Sequence, residues 1–127
     1  MEAVVRLDTH IVVWLYAGTT DRLSKKVTEA INNNDVIVSP IVELELTYLH
    51  EIGRLTVNGS TIIGDLRERI GLSLSELSMA AVIQAAGPLS WTRDPFDRMI
   101  VADALTANTQ LITKDEQIRS NISLALW

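Results

Sequence analysis

Residues 36–53 run Val36-Ile37-Val38-Ser39-Pro40-Ile41-Val42-Glu43-Leu44-Glu45-Leu46-Thr47-Tyr48-Leu49-His50-Glu51-Ile52-Gly53, a complete strand-to-helix unit. Three consecutive β-branched apolar residues predict a short buried strand. Ser39 then offers a side-chain oxygen to the free amides of a helix start. Pro40 takes the first helical position, where no amide is needed and φ is already helical. The apolar pattern keeps a helical period to about Ile52, and Gly53 closes it.

The same pattern recurs outward in both directions. Ala3 to Leu7 predicts a buried strand that ends at Asp8, followed by a helix through Trp14 to Tyr16. Ser24 caps a helix to about Asn32, and the Asn32–Asp35 cluster turns the chain into Val36. Downstream, Thr56 to Gly59 is a turn, Ser60–Ile70 and Ser75–Ala86 are helical, and Leu72 with Leu74 suggests a brief strand between them. Gly87-Pro88 stops the second of these helices. Asp94-Pro95 repeats the cap-plus-proline start for a helix to about Thr106, and Leu111-Ile112-Thr113 and Ile122–Leu126 are further strands. Strands alternating with helices predict a three-layer α/β/α sandwich around a central, mainly parallel sheet. In such folds function sits outside the carboxyl ends of the strands, where Asp8 and Asp115 fall.

At 127 residues, 47% apolar and 21% charged, the chain reads as a single domain over residues 1–127 with ample material for a core. A formal charge of −5 argues against gripping nucleic acid through a broad basic face. The lack of cysteine excludes disulfides, thiolate metal sites and a cysteine nucleophile, and fits a reducing, cytoplasmic setting. Met1-Glu2-Ala3-Val4-Val5-Arg6 has no secretion signal, and the longest uncharged stretch, Leu77 to Thr92, is broken by Gly87-Pro88 and too short for a bilayer. No membrane association is expected.

The informative residues are acids in apolar company. On a wheel of Pro40–Ile52, Glu45 falls in the stripe of Ile41, Tyr48, Leu49 and Ile52, whereas Glu43, Thr47 and His50 point the other way. A core-facing carboxylate needs a compensating cation. Asp97 likewise shares a side with Ile100, Val101 and Ala104. Plainer roles exist for each acid: Asp8 and Asp94 as helix caps, Asp97 as a first-turn acid, Asp115 as a turn residue. Together they suit a hard divalent cation, which prefers oxygen ligands gathered at a strand-end cleft. The spacing does not fit a contiguous Ca²⁺ loop. His10 and His50, forty residues apart, make a zinc site improbable, and His10 reads as structural. Phosphate-loop, dinucleotide and serine-nucleophile signatures are missing. Trp14, Trp91 and Trp127 read as packing residues, too dispersed for a stacking platform.

Val5-Arg6-Leu7-Asp8-Thr9-His10, Val38-Ser39-Pro40 leading to Glu45, Gly53-Arg54-Leu55, Arg93-Asp94-Pro95-Phe96-Asp97-Arg98 and Leu111-Ile112-Thr113-Lys114-Asp115 together resemble the PIN domain family, more narrowly its VapC-type toxin ribonucleases. The likeness runs nearly end to end, and the Asp-Pro-Phe-Asp-Arg block is its most specific part. It implies an α/β/α sandwich, a homodimer, and RNA cleavage dependent on Mg²⁺ or Mn²⁺. It carries the family's four acids onto Asp8, Glu45, Asp97 and Asp115, with Glu43 the competing choice for the second, and its small hydroxyl position onto Thr113. Asp94 is then supporting, and Arg93 and Arg98 become candidates to touch substrate phosphates. A small antitoxin protein is the implied partner. Two other readings compete: a catalytically silent module of the same fold that binds a protein or RNA, and a phosphate-accepting switch or phosphatase. The latter want adjacent acids or Asp-x-Asp after the first strand, where Thr9 and His10 stand.

Overall fold

A computed structural model describes residues 3–127; Met1 and Glu2, the start of the stretch read as lacking a leader, lie outside the described residues. The chain alternates as β1 (Val4–Leu7), α1 (Thr9–Ala17), α2 (Lys25–Asn33), β2 (Asp35–Val38), α3 (Pro40–Glu51), α4 (Gly59–Ile70), β3 (Ser73–Leu74), α5 (Met79–Ala86), α6 (Pro95–Ala107), β4 (Gln110–Ile112), α7 (Glu116–Asn121) and β5 (Ala125–Leu126). The five strands form one parallel sheet in the order β3-β2-β1-β4-β5, and helices cover it in an α/β/α sandwich. No helix is long and apolar enough to cross a membrane.

Strand order positions the site. From central β1 the chain steps outward to β2 and β3, then returns to β4 on the other side of β1 and continues to β5. Connections that leave in opposite directions from neighbouring strands open a crevice at their carboxyl ends. Here those strands are β1 and β4, paired Val5 to Gln110 and Leu7 to Ile112. The ladder continues just past them: the Asp8 amide donates to the Ile112 carbonyl at 3.0 Å, and the Thr113 amide to the Leu126 carbonyl at 3.1 Å. Asp8 and Thr113 are therefore held rigidly where the crevice begins.

The core is aliphatic, built from Val5, Leu7, Val36, Val38, Leu111 and Ile112 of the sheet with Ile11, Leu46, Ile62, Leu66 and Ile100 of the helices. One buried polar device ties β1 to α6. Arg6 donates through Nε to Asp103 Oδ2 at 2.6 Å and through Nη1 to the Thr109 hydroxyl at 2.8 Å, while the Ser75 hydroxyl donates to Asp103 Oδ1 at 2.8 Å. Both Asp103 oxygens have a donor, and among the described residues no buried side-chain nitrogen or oxygen lacks a partner, which is the condition for a buried ion pair to be tolerable. Gly59 opens α4 where it crosses α3; a Cβ there would collide with the Glu43 carbonyl and the Thr47 hydroxyl.

Three expectations need correction. The segment from Ser75 is not helical until Met79: the Ser75 amide extends the sheet by bonding the Val38 carbonyl at 2.8 Å, and Ser78 caps α5. The last strand is only Ala125–Leu126, because residues 123–124 form a turn after α7 (116–121), an unexpected polar helix with Ile118 its single buried residue. The wheel also chose the wrong stripe of α3 as the core. Val42 and Leu46 are fully buried, whereas Tyr48 is 46% and Ile52 48% exposed. Helix α4 packs over the Val42–Leu46 side, so Glu45, Tyr48 and Ile52 line a surface groove, Ile41 lies in a separate hollow with Leu44, and Glu45 is half-buried.

Candidate active site

Asp8 follows β1 with extended backbone and caps α1, so its carboxylate is fixed by both elements. Oδ1 accepts from the Thr9 amide at 2.8 Å and Oδ2 from the buried Thr113 hydroxyl at 2.7 Å. Only 3% of the residue is exposed. Burial pushes its pKa up; the bonds from Thr113 and Thr9 and the nearby His10 pull against this, and Asp115 adds to the rise.

Glu45 reaches the same crevice from α3 and accepts from the Thr9 hydroxyl at 2.5 Å. The backbone and side-chain donors of Thr9 thus hold two carboxylates 37 positions apart in sequence. Burial raises the Glu45 pKa, the Thr9 bond opposes it, and the charges of Asp8 and Asp94 raise it further. Asp97 enters from the start of α6. Burial and then the fields of Asp8, Asp94, Asp115 and Glu45, in that order, push its pKa up to about 7. Asp97 therefore feels every other acid of the set.

Asp94 and Asp115 are exposed and do cap helices. Asp94 Oδ1 accepts from the amides of Phe96 at 2.8 Å and Asp97 at 3.2 Å; Asp115 Oδ1 accepts from the Ile118 amide at 2.9 Å. The Asp115 amide donates to the Thr113 hydroxyl at 3.0 Å, so Thr113 joins Asp8 to Asp115. Capping occupies one oxygen of each acid and orients the other. Among the described residues neither lysine nor arginine forms an ion pair with any of these five acids.

A donor set of carboxylates without a protein cation suits a hard divalent ion. Among the described residues no three His, Asp or Glu side chains stand in ready-made metal-binding geometry. Glu45 and Asp94 line one hollow and Asp8 and Asp115 the next, with His10 on both, and the fields of all four reach Asp97.

The remaining predicted residues fall elsewhere. The Arg98 guanidinium donates to the carbonyls of Ala86 at 3.3 Å and Gly87 at 2.9 Å, tying α6 to the end of α5, so it is engaged away from the acids. Arg93 is exposed ahead of the α6 cap. Reasoning from sequence missed Thr9, whose hydroxyl between two acids is signalled only by the chain order Asp8-Thr9. His10, read from sequence as structural, is exposed on the rim between two hollows. One of these, about 530 Å³, runs from Glu45 and Asp94 between Tyr48, Ile52 and Phe96.

A family model described as PIN domain matches residues 5–121. The chain belongs to the PIN domain family. Within it, this PIN domain is 33% identical over 120 residues to Ribonuclease VapC22 of Mycobacterium tuberculosis, covering 92% of this chain and 91% of the relative, in line with the VapC-type resemblance. Solved structures show the same PIN fold. VapBC2 from Rickettsia felis bound to a promoter DNA fragment superposes with a TM-score of 0.71 at 20% identity, covering 97% of this chain and 96% of that one. A toxin–antitoxin complex from Klebsiella pneumoniae gives 0.63 at 16% identity, with the same coverage.

Proposed function

We propose that this PIN domain is a metal-dependent endoribonuclease, the toxin of a type II toxin–antitoxin pair. The observation that carries the reading is the convergence of acids from distant segments through shared donors: Thr9 holds Asp8 and Glu45, Thr113 joins Asp8 to Asp115, and no lysine or arginine among the described residues pairs with any of them. Asp8, Glu45 and Asp97 are the residues that would hold Mg²⁺ or Mn²⁺, with Asp115 binding a second ion or orienting water. Such an ion supplies an activated water and neutralises charge on the phosphoryl and leaving oxygens. The chain's own contribution is orientation: Thr113 and the Thr9 amide hold the Asp8 oxygens, and the Thr9 hydroxyl holds Glu45. Cation binding also reverses the local field, which lets a chain of charge −5 accept RNA.

The groove of Tyr48, Ile52 and Phe96 ends on Glu45 and Asp94, which suits an antitoxin segment with apolar side chains and a terminal cation. A homodimer is proposed through the exposed Leu44, Met79 and Ile83. A cytoplasmic location accompanies this reading. Glu45→Gln and Asp97→Asn should each abolish Mn²⁺-dependent RNA cleavage with the circular dichroism spectrum unchanged. Full cleavage by either variant contradicts the assignment, and Mn²⁺ binding by the parent protein without cleavage of any RNA would make it a silent binding module.

A further inference from the structure

Beside Asp8 and Asp115 lies a hollow of about 220 Å³ whose other walls are His10, Trp14 and Lys114. Two tryptophans 113 positions apart in sequence meet here, contrary to the dispersal expected from their numbering: Trp14 and Trp127 stand edge to face with ring centres 6.1 Å apart. The His10 ring is 6.4 Å from Trp14. Each indole carries a cation, Arg22 at 5.7 Å from the Trp14 ring centre and Lys114 at 5.6 Å from that of Trp127. Trp127 also walls a neighbouring hollow of about 430 Å³ with Lys26 and Arg119, where Glu116 is the one acid. Lys114, Lys26 and Arg119 thus line a path of adjoining hollows that starts beside Asp8 and Asp115, Arg22 stands over the Trp14 ring, and none of the four is in an ion pair among the described residues.

We propose that this path binds an unpaired stretch of the RNA that flanks the cleaved phosphodiester, the Trp14–Trp127 corner receiving a base and Lys26, Lys114 and Arg119 contacting phosphates. The proposal rests on the nuclease reading and adds where on this chain the strand is held. Aromatic faces interleaved with cations are what a single strand needs, because splayed bases stack on rings while the backbone follows positive charge. In a duplex the bases already stack on one another and cannot reach the rings. The path also starts beside Asp8 and Asp115, whereas the groove of Tyr48 and Phe96 has Arg54 as its one permanent cation and two acids, Glu45 and Asp94, in its wall.

Fluorescence anisotropy with a labelled, unstructured RNA oligonucleotide in Ca²⁺ tests this. Lys26→Ala/Arg119→Ala, both exposed positions, should weaken binding at least about fivefold and flatten the logarithmic salt dependence by about 1.4, at ~0.7 per lost phosphate contact. Trp127→Leu should weaken it about tenfold and Trp127→Phe restore most of that, while an RNA duplex binds less well than the strand. The Mn²⁺-induced rise in melting temperature should be unchanged in all of them. Unaltered RNA affinity in both sets of variants overturns the path and leaves the nuclease reading standing if the parent protein still cuts RNA. A parent protein that binds Mn²⁺ but neither binds nor cuts RNA overturns both. Variants that lose poly-glutamate binding and keep RNA binding would make the path a protein-docking surface and refute it as well.

Discussion

The Thr113 hydroxyl donates to Asp8 Oδ2 at 2.7 Å across 105 positions of sequence, joining the carboxyl ends of the two strands that flank the crevice. Because the same oxygen accepts from the Asp115 amide, one buried hydroxyl sets two acids at once. Thr113→Val keeps the shape and removes both bonds. It should destabilise the protein by about 1–2 kcal/mol and weaken Mn²⁺ binding about tenfold, while Thr113→Ser retains both. Thermal melting in EDTA and Mn²⁺ titration check this.

The acids make the cation-free protein sensitive to pH in a definite direction. With the Asp97 pKa raised from 3.8 to about 7, the folded chain holds a proton that the unfolded chain has released between those values. Stability contributed by this site is present below about 4 and is lost as pH rises towards 7. Asp8 and Glu45, also raised, act with the same sign. Asp97→Asn should flatten the decline and raise the melting temperature in EDTA at neutral pH, by an amount equivalent to about 1–2 kcal/mol once screening of a half-exposed group is allowed for. A fall in melting temperature would assign Asp97 to helix capping instead.

At the Arg6–Asp103 pair the expectation is opposite in sign. Arg6→Met leaves the buried Asp103 without its partner and should cost about 3–5 kcal/mol. Arg6→Met/Asp103→Leu, which removes the orphaned charge, should recover much of that loss in urea unfolding. An additive double variant would show that the two side chains do not act as a pair.

Two glycines of α4 should respond differently to alanine. At Gly59 a Cβ meets the α3 backbone, so Gly59→Ala should destabilise by about 1–3 kcal/mol. At Gly64 nothing lies within 4 Å, and Gly64→Ala should stabilise by about 0.5–1 kcal/mol through helix propensity. Urea midpoints of the two variants test the contrast.

Local signals carried most of the architecture. Ser24, Ser39 and Asp94 cap helices where expected, since capping is written in adjacent residues. Polarity hid α7, and the wheel of α3 could not distinguish an apolar stripe facing the core from one lining a groove, because only tertiary packing decides that. The acids were legible as types in apolar company. Their arrangement was less so: Thr9 between Asp8 and Glu45, the Arg6–Asp103 pair and the meeting of Trp14 with Trp127 depend on contacts between segments distant in sequence. Arg98 shows the converse, a residue adjacent in sequence to Asp97 whose side chain is bound at the end of α5.

The account turns on one cation among these carboxylates, and anomalous diffraction from crystals soaked in Mn²⁺ addresses it directly. The predicted result is a peak in the crevice among Asp8, Glu45 and Asp97, the residues that would hold the ion, lost in Asp97→Asn crystals. No peak in the crevice, or one that persists unchanged in the variant, would contradict it.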